Sequence, residues 1–233
     1  MAQQAPTVIE QTSQSFSLTL GASRIIYTPD SKGQVFSVSN EQKFPILVQS
    51  QVSAAEGGDI TASAARFNVI PPLFRLDGEQ SAKLRVVHAG GGLPADRESL
   101  YWLCVKGIPP KAEDVWADGK APTTAMLNVQ VSVNNCIKLL VRPAAIGREL
   151  PQALVSKVTW KRQGNRLQAI NSTPFYINLA AVSVGGKAVA NLQHIAPFSS
   201  QSFDLPAGAK GNVEWLVIND LGGKGDLLHS VLD

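Results

Sequence analysis

Residues 126–143, MLNVQVSVNNCIKLLVRP, constrain this chain more than any other stretch. Leu127, Val129, Val131 and Val133 alternate with Asn128, Gln130 and Ser132, and this period of two sends one apolar row to one side of an extended strand. Ile137, Leu139 and Val141 then continue an apolar run around Lys138. A cation set among residues that pack inside calls for an anion nearby. The stretch therefore reads as one long β-strand with two jobs: its row needs a partner surface, and its lysine needs a counter-charge.

Around it, short strand-like runs alternate with Gly, Pro, Asn and Asp turns, and helical periodicity is nearly absent. Residues 16–27, 34–39, 46–52, 66–70, 82–88 and 100–106 carry β-branched or aromatic residues, and with the long strand they make seven, the number that suits a β-sandwich. Residues 144–152, AAIGRELPQ, are polar with Gly147 and Pro151, the composition of a hinge or linker. After them the pattern restarts with VSKVTW, RLQAIN, PFYINLAAVSV, residues 197–205 and VEWLVIND. The fold class expected is all-β, with a first sandwich over 1–145, a linker over 146–153 and a smaller second sandwich over 154–233. A chain of 233 residues is long enough for two such cores.

Composition removes several functions. The formal net charge is only +3 and the basic residues are scattered, so the electrostatic footprint of a nucleic-acid binder is missing. No apolar run approaches the roughly 20 residues of a membrane span. The start, MAQQAPTVIEQTSQ, lacks the regions of a signal peptide, so the expectation is a soluble mature chain whose signal peptide is already absent. No serine or histidine sits in a nucleophile elbow, and Gly57-Gly58, Gly185-Gly186 and Gly222-Gly223 lie between strands, as turn glycines rather than a phosphate cradle. His88 and His194 read as structural histidines. No catalytic residue, metal site or cofactor is expected.

Cys104 and Cys136 are the only cysteines. They fall in different strand-like runs and could face each other across an antiparallel pair, the preferred reading, with two buried free thiols as the alternative. No histidine stands at ligand spacing from them, which argues against zinc. A disulfide would imply an oxidising compartment and about 3–4 kcal/mol of stabilisation in the chain-entropy model. Residues 111–124, KAEDVWADGKAPTT, form a long polar connection of the kind often functional. The alternating row after it then leaves the sandwich as an exposed edge, a hazard unless a partner strand covers it. The bland alternative is an ordinary half-buried sandwich strand. Arg24, in SRIIY, is a second cation in an apolar strand, and paired with Lys138 it would make an anion site.

ASRIIYTPD, IPPLFRL, LPADRESLYWLCVKGIPP, NNCIKLLVRPAAI, INSTPFYINL and WLVINDLGG occur in this order over nearly the whole chain. In them the sequence resembles the periplasmic chaperones of the chaperone-usher pathway, the PapD-like family, and its cysteine pair and long connection resemble the long-loop (FGL) subclass. The resemblance implies two immunoglobulin-like sandwiches in a boomerang arrangement with a cleft between them, and no enzyme activity. It implies a role in fimbrium biogenesis and cell wall organization: binding and capping fimbrial or pilus subunits, which are incomplete immunoglobulin-like folds, by donor-strand complementation in the periplasm, then delivering them to an outer-membrane usher. Leu127, Val129, Val131 and Val133 match the donor residues, each worth about 1.5–3 kcal/mol gross when buried in a subunit groove. Arg24 and Lys138 match the cations that grip the subunit's C-terminal carboxylate, which would fix the register that alternation alone leaves open. Glu98, Arg142 and Asp220 match an interdomain ion network, with ordinary surface pairing as the alternative. Phe16, Leu18 and Leu20 match a second subunit contact, or else pack inside. The exposed strand also allows self-capping as a homo-oligomer. Two rival classes stand beside this reading: a surface adhesin module, which would have no reason to place Arg24 and Lys138 at one site, and a hydrolase, which would need a catalytic set.

Overall fold

The computed structural model describes residues 18–54, 66–111, 113–119 and 133–232. Among them, the first half of the chain forms β1 (Leu18–Leu20), β2 (Arg24–Tyr27), β3 (Gln34–Asn40), β4 (Ile46–Ser53), β5 (Phe67–Ile70), β6 (Leu73–Leu76), β7 (Ser81–His88), β8 (Ser99–Ile108) and β9 (Val133–Val141). These build two sheets, β1-β3-β7-β5 and β2-β9-β8-β4-β6. Alternation along the strands does the sorting. Phe36, Val38, Leu84 and Val86 from one sheet meet Ile46, Val48, Leu103, Val105, Leu139 and Val141 from the other in a single buried core.

Residues 16–27 are not one strand. β1 pairs with β3 in the first sheet, whereas β2 pairs in parallel with β9 in the second. The chain changes sheets at Gly21, where an added Cβ would lie 2.0 Å from Ser37 Oγ and would force that hydroxyl to turn away. β6 is also additional to the runs read from the sequence. It follows Pro71 and Pro72 and forms the edge of its sheet beside β4, the position where proline is tolerated.

The second half forms β10 (Thr159–Gln163), β11 (Arg166–Asn171), β12 (Leu179–Val184), β13 (Lys187–Ala188), β14 (Ser199–Asp204), β15 (Val213–Val217) and β16 (Leu228–Ser230). Its sheets are β10-β11-β14 and β13-β12-β15-β16. They enclose a separate core in which the Trp160 and Trp215 rings meet edge-on at 5.7 Å. Between the two cores the chain takes a 3-10 turn at Ala144–Ile146 and the short helix α1, Gln152–Val155. Leu150 and Val155 belong to the second core, so the polar connection is docked rather than strung between the domains.

One device recurs in both sandwiches. Asn40 ends β3 and Asn171 ends β11, and both are buried. Each side-chain amide donates to the carbonyl of a phenylalanine four residues on, Phe44 at 2.9 Å and Phe175 at 2.7 Å. Each Oδ1 accepts the backbone N–H two residues on, from Gln42 and Thr173. These bonds satisfy backbone groups that water cannot reach, and the second asparagine shapes the segment that carries the interdomain contacts.

Candidate functional site

β9 runs antiparallel to β8 along its whole described length, with Cys104 opposite Cys136 and Trp102 opposite Lys138. Alternation turns Leu103, Leu139 and Val141 into the core. Trp102, Cys104, Cys136 and Lys138 therefore lie on the outer face of the sheet. There the cysteines form a disulfide with their Cα atoms 4.0 Å apart.

The other edge of β9 is only partly covered. β2 pairs with residues 138–141 and places Arg24 opposite Lys138. Among the described residues no strand pairs with that edge from Val133 to Ile137, although the Asn135 side chain donates to the Leu18 carbonyl at 2.6 Å. Two cations thus stand side by side where the uncovered edge begins.

Both reach toward the second domain. Lys138 Nζ donates to Asn178 Oδ1 at 2.6 Å, lies 3.4 Å from His194 Nδ1, and sits 5.7 Å from the centre of the Trp102 ring. Arg24 Nη1 makes a long contact, 3.5 Å, with the Ile218 carbonyl. Its Nε is buried and has no hydrogen-bond partner among the described residues. Burial lowers the Arg24 guanidinium from its ordinary value, and Asp220 pulls the other way. A guanidinium with a buried, unsatisfied N–H is a ready donor for an anion.

A second cluster lies at the far end of β9. Arg142, which directly follows the strand, donates from Nε to Glu98 Oε1 at 2.7 Å and from both terminal nitrogens to Asp220 at 2.7 and 2.8 Å. Its Nη1 also reaches the Arg148 carbonyl, and its guanidinium stacks 5.1 Å from the Phe175 ring. Glu98 Oε2 accepts the Tyr176 N–H at 2.7 Å, and Asp220 accepts the Leu150 N–H. The first domain, the connection and the second domain are thereby tied to one guanidinium. Burial pushes Glu98 up, against the pull of Arg142 and the Tyr176 N–H. Partial burial alone would raise Asp220 too, but the bonds from Arg142 hold its carboxyl below the usual carboxylate range.

The residues singled out by sequence are distributed as follows. Arg24 and Lys138 are adjacent, Glu98, Arg142 and Asp220 meet in one network, and Cys104 and Cys136 are bonded. Val133 opens β9 opposite Gly107. Phe16, Leu127, Val129 and Val131 lie outside the described residues. Leu18 is buried in the core and Leu20 packs against it, the inward-packing alternative for that strand. The sequence does not mark Trp102, Tyr176 and Asn178 as site residues, and it leaves His194 as a structural histidine. The opposition of 176–178 to 194–196 is a product of the fold.

Family comparison decides what this geometry belongs to. Residues 17–147 match the model of the pili and flagellar-assembly chaperone, PapD N-terminal domain, and residues 153–228 match the pili assembly chaperone PapD, C-terminal domain. The chain belongs to the PapD-like family of pilus chaperones. Among relatives, the chaperone protein AfaB of Escherichia coli is 53% identical over 204 residues, 85% of this chain and 80% of that protein. Caf1M of Yersinia pestis is 44% identical over 239 residues, 98% of this chain and 90% of that one. The E. coli chaperone DraB superposes with a TM-score of 0.80 at 50% identity, covering 94% of this chain and 97% of its own. The SafB chaperone of Salmonella enterica, solved with the SafA pilin, gives 0.83 at 42%, covering 95% and 99%. This PapD-like protein is accordingly a chaperone of fimbrial assembly and not an enzyme, built as two all-β domains with a disulfide in the first.

Proposed function

We propose that this chaperone caps pilus subunits in the periplasm by lending them the strand that runs into β9, and passes them to an outer-membrane usher. In this reading the row Leu127, Val129, Val131 and Val133 fills an apolar groove in the subunit. Arg24 and Lys138 hold the subunit's C-terminal carboxylate. The usher then exchanges the lent strand for a segment of the next subunit, with no nucleotide required.

The observation that carries the reading is the junction at Lys138. The edge of β9 is uncovered among the described residues as far as Ile137, and at its lower end two cations stand in register, one with a buried unsatisfied N–H. An added strand pairing with that edge would end with its carboxylate against those cations, where charge-assisted hydrogen bonds fix its register. The SafB chaperone, similar over 95% of this chain, was solved with a pilin. The division into an N-terminal domain over 1–145, a linker over 146–153 and a C-terminal domain over 154–233 belongs to the same proposal. So does the oxidising compartment that a structural disulfide requires. Without a client, two copies could cover each other's apolar rows.

The test is periplasmic co-expression with pilin subunits, purified through a tag on the subunit. A one-to-one complex is expected from the wild type. It should be lost in Val131→Asp, which would place a charge in an apolar groove, and in Arg24→Ala. Capture that survives both substitutions would remove strand donation from the account.

A further inference from the structure

Among the described residues, Asn178 and His194 of the second domain meet the tip of Lys138, and His194 can change its charge. Ile177 and Ile195 form an antiparallel bridge, each N–H bonded to the other's carbonyl at 3.0 and 2.8 Å, and both side chains are fully buried in the second core. Across a bridge the flanking residues oppose each other on the other face, which sets Asn178 opposite His194 and turns both toward the first domain. Their side chains meet Lys138 there, at 2.6 Å from Asn178 Oδ1 and 3.4 Å from His194 Nδ1.

An ammonium only donates hydrogen bonds. A hydrogen bond at this contact needs His194 Nδ1 as the acceptor, which is the Nε2–H tautomer of the neutral imidazole. Protonating Nδ1 would remove that acceptor and bring a second positive charge next to Lys138. Among the described residues, the groups near the ring from neighbouring elements include Lys138 of β9, with Arg24 of β2 in register beside it and Asp220 beyond, and Tyr176, whose ring centre is 5.4 Å from that of His194. Imidazole is the side chain that ordinarily changes charge between about pH 5 and 8.

We infer that His194 is a positioning residue for Lys138, and that its protonation is coupled to occupation of the carboxylate site at Arg24 and Lys138. The inference rests on the reading of that pair as a carboxylate anchor. In the free chaperone the two cations oppose a proton on His194. A bound carboxylate offsets their charge, so protonation becomes easier when the site is filled. Linkage then fixes the sign: a group that binds its proton more tightly in the complex makes binding tighter as pH falls. The gain is complete below the free-state titration midpoint of His194 and lost as pH rises through the bound-state midpoint.

The experiment uses the full chain and the peptide acetyl-Val-Thr-Val-Thr, with a free C-terminal carboxylate or as its amide. Affinities are measured across pH 5–8, and the His194 ring is followed by isotope-edited NMR. The acid should bind roughly three- to tenfold more tightly at pH 5 than at pH 8, as expected when a nearby anion shifts a titrating neighbour. The His194 midpoint should rise when the acid is added and not when the amide is. In His194→Asn, which keeps an acceptor but cannot gain a proton, the acid should bind with this pH dependence removed. In the free chain, Lys138→Met should raise the His194 midpoint, with Arg24→Gln as a second cation-removing variant. Equal binding of acid and amide would overturn the anchor reading itself. Acid-selective binding with the same pH profile in wild type and His194→Asn would overturn the present inference while leaving the anchor standing. So would a His194 midpoint unmoved by Lys138→Met.

Discussion

Arg142 shows how a single side chain can be indispensable without being a net source of stability. It and Glu98 are both buried, with side-chain exposures of 2% and 1%. Two ions taken out of water recover their hydration only through good geometry and further bonds. Those bonds are present here in Asp220, the Arg148 carbonyl and the Tyr176 N–H. Removing one partner is a different matter. Arg142→Ala would leave Glu98 buried and unpaired, and a loss of about 3–5 kcal/mol is expected in denaturant unfolding; a loss under about 1 kcal/mol would mean the network is dispensable. Asp220 supplies the pH dependence. Its carboxyl is held below the ordinary range, so its contribution is fully present above the unfolded aspartate value of about 3.9 and lost as pH falls through the lower folded value. Glu98, pushed up by burial, works in the opposite sense, its ionisation penalising the folded state as pH rises between its unfolded and folded values. Asp220→Asn should therefore lower stability at neutral pH and flatten the acid limb below about pH 4, as read by unfolding curves taken across pH.

Among the elements, β9 carries the most. Its inward residues build the first core, its outward residues hold the disulfide and Lys138, and its end delivers Arg142 to the interdomain cluster. The disulfide links residues 32 apart in sequence, and replacing both cysteines by alanine should lower stability by about 3–4 kcal/mol in the chain-entropy model. Unfolding with and without reductant tests this, and indifference of the wild type to reductant would contradict it. Much of β9 was legible from sequence, because alternation and a lone lysine in an apolar run are local signals. The split of residues 16–27 into β1 and β2 was not. It follows from β1 pairing with β3 and β2 with β9, partners far along the chain. β6 went unread because a double proline argues against a strand unless the strand is known to lie at an edge.

For the whole molecule, the relation between the domains is set by a few close contacts. Arg97 stacks 5.0 Å from the Phe198 ring, and the Glu98 N–H reaches the Pro174 carbonyl. The turn that follows Asp220 is locked by Asn219 and pressed against the first domain at Gly222. A Cβ there would lie 2.0 Å from Ser23 Oγ, and φ is +86°. Gly222→Ala combines backbone strain with this steric conflict. It should loosen the domain contact while sparing both cores, appearing in calorimetry as two separate transitions where the wild type shows greater overlap. An unchanged trace would show that the turn can yield.

The sequence by itself determined that this is an all-β, two-core chain with a cysteine pair and two cations in apolar strands, and its ordered motifs carried the family. It could do so because periodicity and composition are written along the chain, within the reach of neighbouring residues. The tertiary structure alone decided that Asn178 and His194 meet Lys138, that Tyr176 answers Glu98, and that Arg24 Nε finds no partner among the described residues. Those facts depend on which strands lie side by side, with 194 residues of sequence separating Arg24 from Ile218. Such pairings are chosen by where the two domains meet, and no local pattern records them.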